Sequence, residues 1–376
     1  MRLLHVLHAL RDSAGGPLRA TVQMVGRSAL PADILGLGPV EIAGNPLAPA
    51  RIHALTPGRP RAYGYSSDLR AWLRSHLEDY DGIVLWGMWL YPGWAVHCEC
   101  IRSRKPYACF PSGMLEPWPV YGQGAWKAAK KLAYWWWRER RIFHRARHVF
   151  FYTEREQRRA ATVFELNVPQ SVLVPFGIDP SPAPVDAPGR SDLVGLKALP
   201  YSLFLGRIHP KKNVEFLLRA WAQARVRPDW RLVVAGPGEP DYLRQLQQLA
   251  ARLGISEAVS FPGLVTGADK AFLYQHARWF LLPSQQENFA IAPLEAVERG
   301  CPVAVSDQVY VADSFHPASE VLPLKLQPWV EFLAGRMCNQ AWRRTVVDLD
   351  RRHIVPRFDI ASVARAWDQA MLAAFS

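Results

Sequence analysis

The sequence predicts a two-domain α/β protein, and three observations point to that class. Strand-like apolar runs alternate with helix-like segments along the chain. Its 376 residues, 49% of them apolar, are enough to bury two cores of ordinary domain size. A proline-rich stretch from Asp179 to Asp192 has little to bury and poor helix or strand potential, so it marks the hinge. The expected division is residues 1–180, residues 193–355 and a terminal segment, 356–376, with helical apolar spacing. No internal repeat or low-complexity tract is evident.

From the amino terminus, Leu3-Leu-His-Val-Leu-His8 reads as a first buried strand. A signal peptide is the alternative, but two histidines break the apolar stretch and Arg11-Asp12 follows without a convincing cleavage site. Gly15-Gly16-Pro17 then turns the chain toward an apparent helix from Leu18. Glycines permit close backbone approach to a ligand; an ordinary strand-to-helix turn is the competing reading. Tyr80-Asp-Gly-Ile-Val-Leu-Trp86 reads as a strand running into a loop at Trp89, and Tyr107-Ala-Cys-Phe110 as another leading to Ser112-Gly113. Trp86, Trp89 and Ser112 are expected to line one rim.

In the second half, Tyr201-Ser-Leu-Phe-Leu-Gly206 reads as a buried strand followed by Arg207 and, after Lys211, Lys212. A guanidinium and an ammonium just past a strand end can share a diphosphate, although a solvated basic loop has the same composition. Trp279-Phe-Leu-Leu282 reads as a further buried strand, feeding Gln285-Gln-Glu287-Asn288-Phe289-Ala290-Ile291-Ala-Pro293-Leu-Glu295. Pro293 suits a first helical position and Gly300 a stop, which places Glu287 in a loop and Glu295 in the first helical turn. Free N–H groups at that corner favour anions, while carboxylates accept hydrogen bonds from hydroxyls. In open α/β sheets ligands sit beyond the carboxyl ends of the strands. The corner therefore suits a polyhydroxylated, phosphorylated ligand, with a surface helix carrying acidic residues as the plainer reading.

Gly206-Arg207 with Lys212, Ala235-Gly236-Pro237-Gly238, Phe261-x-Gly263 and Glu287 through Glu295 together resemble the carboxyl-terminal half of the GT-B glycosyltransferases of family 4. Gly15-Gly16-Pro17, Pro111-Ser-Gly-Met-Leu-Glu-Pro-Trp118 and Val174-Pro-Phe-Gly-Ile-Asp179 resemble that family's glycine loop, acceptor-side loop and pre-linker segment. The resemblance implies two Rossmann-like domains facing each other across a cleft, with the terminal helix crossing back to the first domain. It implies a retaining enzyme that moves a sugar from a nucleoside diphosphate, UDP or GDP, to an acceptor hydroxyl. The acceptor it implies is a saccharide or a polyprenyl-diphosphate-linked saccharide in surface polysaccharide synthesis. Arg207, Lys212 and Glu287 would be the catalytic set. Gly15, Gly16, Gly206, Val265, Asn288, Phe289, Ala290, Ile291 and Glu295 would bind the donor, and Trp86, Trp89, Ser112 and Gly113 would lie on the acceptor side. In many relatives positions 86 and 112 resemble histidines, so a non-catalytic module that binds a nucleotide sugar or a partner is the alternative class. Asp79-Tyr-Asp81 mimics a metal-binding motif of other transferases but precedes a buried strand. No metal or cofactor is expected, because Arg207 and Lys212 supply positive charge for the leaving group.

The formal charge of +12 is concentrated between Trp126 and Arg159, where lysines and arginines are interleaved with Trp126, Trp135, Trp136 and Trp137. Such a segment suits an anionic membrane surface. The charged face of two solvated helices is the second reading and nucleic acid the third, disfavoured by the lack of zinc-finger spacing, an RNP-like strand or a long basic arm. Five cysteines without a CxxC pair fit a reducing compartment, and no run of about 18 apolar residues spans a membrane. The expected location is cytoplasmic, peripheral on the inner face of the membrane.

Overall fold

Short, wholly apolar runs become strands covered on both faces, the pattern of a parallel sheet flanked by helices. The computed structural model describes residues 1–11, 16–41, 50–116, 124–164, 171–179 and 184–376. The chain divides into two compact units: Met1–Gly177 with Ile360–Ser376, and Ile178–Asp359.

The first unit runs β1 (Leu3–Val6), α1 (Gly16–Arg27), β2 (Ala32–Leu37), β3 (Ile52–Leu55), α2 (Ser67–His76), β4 (Gly82–Trp86), α3 (Tyr91–Ser103), β5 (Tyr107–Phe110), α4 (Ala125–Tyr134), a π-helical turn (Trp135–Glu139), α5 (Arg140–Arg145), β6 (His148–Phe151), α6 (Glu154–Phe164) and β7 (Ser171–Leu173). The strands pair in parallel in the order β3-β2-β1-β4-β5-β6-β7. β1 is central, with Leu3 registered against Ala32 on one side and Gly82 on the other.

The second unit runs α7 (Ser191–Val194), β8 (Tyr201–Leu205), α8 (Val214–Gln223), β9 (Arg231–Ala235), α9 (Pro240–Arg252), β10 (Val259–Gly263), α10 (Gly267–His276), β11 (Trp279–Leu282), α11 (Ile291–Glu298), β12 (Val303–Ser306), β13 (Glu320–Leu322), α12 (Leu326–Ala334) and α13 (Gln340–Phe358). Its sheet is also parallel, ordered β10-β9-β8-β11-β12-β13. In both units the strand order reverses after the first strand, which opens a crevice between β1 and β4 and another between β8 and β11. Such a reversal is where doubly wound sheets receive ligands.

The last helix, α14 (Ile360–Phe375), belongs to the first unit. Its Trp367 stacks among His5, Trp86, Phe110 and Phe150, and Asp368 accepts hydrogen bonds from Ser28 and from the Ala29 N–H. A Cβ at Gly82 would lie 2.4 Å from the Phe375 ring, so the glycine lets the helix end settle on β4.

Candidate functional site

The loops beyond β8, β9 and β10 remain stitched together past the sheet. The Gly206 N–H donates to the Ala235 carbonyl at 3.0 Å, the Ile208 N–H to Pro237 at 2.7 Å, and the Gly236 N–H to Gly263 at 2.7 Å. Gly236 has φ +134°, and a Cβ there would lie 1.9 Å from the Gly206 carbonyl oxygen. The Ala-Gly-Pro-Gly motif is therefore a close backbone contact that only glycine permits. Gly236→Ala is expected to destabilise the second unit by about 3 kcal/mol or more, read as a lower urea midpoint; an unchanged midpoint would contradict this packing.

After Arg207 the chain makes a 3-10 turn, Pro210–Lys212, with His209 Nδ1 accepting the Lys211 N–H at 3.2 Å. Burial, with the nearby Arg207, Lys211 and Lys212, pushes the His209 imidazole below its usual pKa, so its neutral form serves as that acceptor. The Gln285 N–H donates to the Lys211 carbonyl at 2.9 Å, tying the loop after β11 to this turn across the crevice. Lys212 Nζ lies 2.7 Å from Glu287 Oε1. Burial alone would raise the Glu287 pKa, but Lys212 and Lys211 outweigh it and hold the carboxyl below its ordinary range. The Glu287 backbone is fixed as well: its N–H donates to Gln308 at 2.9 Å and its carbonyl accepts from Tyr310 at 3.0 Å.

Gln286, 5% exposed, has no partner for either amide atom among the described residues, and neither does the Asn288 amide on the other side of Glu287. Buried amide atoms without partners are costly, so four of them beside the Lys212–Glu287 ion pair mark a place built to receive a polar ligand.

Ala290, at φ 62° and ψ 91°, sits immediately before α11. A non-glycine residue there stores strain of the order of 1–3 kcal/mol, a feature that concentrates at ligand sites. The strained step also moves the helix start. Pro293 is the third helical residue rather than the first, and Glu295 stands in the second turn. Phe289 is buried, edge-on to Phe358 at 5.7 Å. Glu295 accepts from Lys270 Nζ at 2.6 Å and from the Tyr274 hydroxyl at 2.9 Å. Lys270 and Tyr274 stand one turn apart on α10, a contact no local motif signals. Val265 is buried just beyond β10, and Arg207 is exposed with no ion pair among the described residues. The fold thus gathers Lys212, Gln286, Glu287 and Asn288 in one group, and Glu295, Lys270 and Tyr274 in another at α11.

In the first unit Gly15 lies outside the described residues, and Gly16 opens α1. Trp86 departs from expectation. It is 2% exposed, donates Nε1–H to His5 Nδ1 at 2.9 Å, and stacks on Phe110 with ring centres 4.4 Å apart. Its ring belongs to the core rather than to a rim, because β4 is covered on both faces. Burial lowers the His5 pKa to about 3, keeping its ring neutral.

Trp89 (φ 71°) and Ser112 (φ 51°) are both in left-handed backbone, and each loop is held by a buried glutamate that sequence reasoning missed. The Trp89 N–H donates to Glu139 at 2.9 Å. Glu156 accepts from the Gly113 N–H at 2.7 Å and from the Tyr152 N–H at 2.9 Å, while Thr153 Oγ1 accepts the Glu156 N–H at 3.2 Å. Thr153-x-x-Glu156 has the capping-box spacing at the start of α6, the one local signal for this residue, but here the carboxylate reaches the β5 loop as well. The Ser112 hydroxyl is 3.1 Å from that of Tyr152. Asp81 accepts the Arg2 N–H at 2.6 Å, a bond at the amino ends of β1 and β4, the opposite end of the strands from these loops.

Residues 195–318 match the family model described as Glycosyl transferases group 1. The chain is 40% identical over 105 residues to an uncharacterized glycosyltransferase of Methanocaldococcus jannaschii, covering 28% of this chain and 26% of that protein. It is 35% identical over 174 residues to a D-inositol 3-phosphate glycosyltransferase of Salinispora arenicola, covering 39% of each. The matches thus span about a quarter to two-fifths of the length of these relatives. The crystal structure of Anabaena HepE in complex with UDP-glucose resembles this chain with a TM-score of 0.77 at 16% identity, covering 99% of this chain and all of that one. The fold is GT-B, with two parallel-sheet α/β units.

Proposed function

We propose that the chain is a retaining glycosyltransferase that moves a sugar from a nucleoside diphosphate to the hydroxyl of a saccharide, free or carried on a lipid diphosphate. The observation that carries this reading is the pairing of buried Glu287 with half-buried Lys212 at the β8/β11 crevice, flanked by the unpartnered amides of Gln286 and Asn288. A ligand that fits must offer hydroxyls to a carboxylate, groups that donate to and accept from amides, and an anion to the lysines. A nucleotide sugar has all of these. The UDP-glucose carried by the HepE structure and the sugar transfer named for the Salinispora relative support the same class.

In this reading Glu287 accepts donor-sugar hydroxyls and Glu295 those of the ribose, while N–H groups from Phe289 to Ile291 orient the diphosphate. An ammonium has three N–H donors, so Lys212 can keep Glu287 and still reach an anionic oxygen. Together with Arg207 it stabilises the charge that develops as the bond between the anomeric carbon and the phosphate oxygen breaks. The acceptor oxygen bonds to that carbon on the face the diphosphate leaves, and its proton passes to the departing oxygen. No protein nucleophile and no metal is invoked.

The test is to incubate the protein with UDP-, GDP- and ADP-sugars and a mixed saccharide pool, following nucleotide release and the anomeric proton by NMR. Release with the donor's anomeric configuration kept in the product is the expected result. An inverted product would overturn retention. Nucleotide binding without turnover on any acceptor would favour the non-catalytic module instead, in keeping with the enclosed Trp86 and the serine at position 112.

A further inference from the structure

We propose that the outer face of α4, the π-helical turn and α5 is a membrane-docking surface that lies flat on an anionic bilayer. The sequence alone leaves this segment between a bilayer, solvent and nucleic acid; exposure and pairing in the structure separate the three.

The segment has two faces. Ala128, Trp135, Glu139, Ile142 and Phe143 turn inward, and Trp135 packs on Phe164 with ring centres 4.4 Å apart. Trp126, Lys130, Ala133 and Trp137 recur at helical spacing on the opposite side. Trp126 is 82% exposed, Trp136 58% and Trp137 60%. Exposed tryptophans in a row are unfavourable against water alone, which argues against a merely solvated face. Around them Lys127, Lys130, Arg140, Arg141, Arg145 and Arg147 are exposed. The only acidic residue between positions 124 and 147 is Glu139, and it is 1% exposed, so nothing on this face offsets the positive charge within the segment.

The rings are also held in a particular way. The Arg138 guanidinium lies 4.0 Å from the Trp137 ring centre and Arg140 lies 4.7 Å from that of Trp136. A single-stranded nucleic acid would need free ring faces on which to stack its bases, and one face each of Trp136 and Trp137 is already covered by a cation. A lipid headgroup layer suits the pairing: indoles settle at the boundary with the acyl chains while the cations beside them meet phosphates. Among the described residues no helix is long and apolar enough to cross a membrane, so the contact would be in the plane of the surface.

The experiment is sedimentation of the full chain with vesicles of phosphatidylcholine alone, or of phosphatidylcholine with phosphatidylglycerol, with tryptophan quenching by brominated lipid as a second readout. The expected result is at least about tenfold stronger partitioning to the anionic vesicles, weakening with salt, together with quenching of emission. Trp126→Ser/Trp136→Ser/Trp137→Ser should abolish the quenching. Lys130→Glu/Arg140→Glu should lower partitioning at least about tenfold. Both variants should keep the wild-type melting temperature, since every altered side chain is exposed. Equal binding to neutral and anionic vesicles would overturn the proposal. So would binding indifferent to the tryptophans, or preferential retention on a single-stranded oligonucleotide. Vesicle binding needs no nucleotide, so its failure would leave the proposed sugar transfer standing, and loss of transfer would leave the docking surface standing.

Discussion

Glu287→Ala is expected to lower kcat/KM for the donor by at least about a hundredfold, the scale seen when one polar contact to a reacting centre is removed. The carboxylate is the acceptor placed among the unpartnered amides of Gln286 and Asn288, and its backbone is fixed by Gln308 and Tyr310. Glu287→Gln keeps the shape but loses the charge that holds Lys212 at 2.7 Å, so it should recover only part of the loss. The reciprocal change, Lys212→Ala, should act through pH as well as turnover. The two lysines now hold the Glu287 pKa below its ordinary value against the opposing effect of burial. With Lys212 gone burial weighs more, the pKa rises, and the acid limb of the pH–rate profile should move to higher pH. A loss below about tenfold in Glu287→Ala would remove this residue from the reacting centre. An unmoved acid limb in Lys212→Ala would mean that the pair is structural.

Glu139→Gln is expected to stabilise the protein at alkaline pH and to leave it unchanged near pH 4. Burial pushes the Glu139 carboxyl from an ordinary 4.5 up to about 8, opposed only in part by the Trp89 N–H it accepts. Between those values the folded state holds a proton that the unfolded state has released. Wild-type stability therefore falls as pH rises through that window, by a few kcal/mol in all at about 1.4 kcal/mol per unit. A glutamine can accept the same N–H and has nothing to ionise, so its stability curve should be flatter. Asp350, pushed by burial to about 6, adds a decline of the same sign between its ordinary 3.8 and that value, but it is common to both proteins and cancels in the difference. Urea unfolding of wild type and Glu139→Gln between pH 4 and 9 reads the effect. Parallel curves would show that Glu139 is not the proton-holding group.

The parts of the molecule legible in its sequence are those where one physical signal dominates. Tyr201–Leu205, apolar but for Ser202, and the uninterrupted apolar run Trp279–Leu282 become buried strands, and Gly300, at φ +75°, follows the end of α11 as a stop should. The start of that helix was less legible, because a left-handed alanine at position 290 delays it and nothing in the residue type announces the strain. Trp86 misleads for a related reason. In a strand covered on both faces there is no alternation to say which way a ring points, so an aromatic at the strand end reads as a rim when it is core. Trp135, Trp136 and Trp137 cannot be told apart by type, yet the π-helical turn sends the first inward and the other two outward. Lys270 and Tyr274 meet Glu295 across more than twenty positions, and Glu156 reaches Gly113 across 43, distances over which a single sequence carries no contact signal. The motif at Ala235–Gly238 was visible as a pattern, and the structure supplies its cause in the Gly206 carbonyl beneath Gly236.

The most direct test of the account is titration calorimetry of nucleoside diphosphates into the wild type, Arg207→Ala and Glu295→Ala. Binding of UDP or GDP by the wild type, weakened at least about tenfold in each variant, is the result expected of a donor site at the strand ends of the second unit. No binding of any nucleoside diphosphate, or binding indifferent to both substitutions, would contradict the claim that this crevice holds a nucleotide sugar.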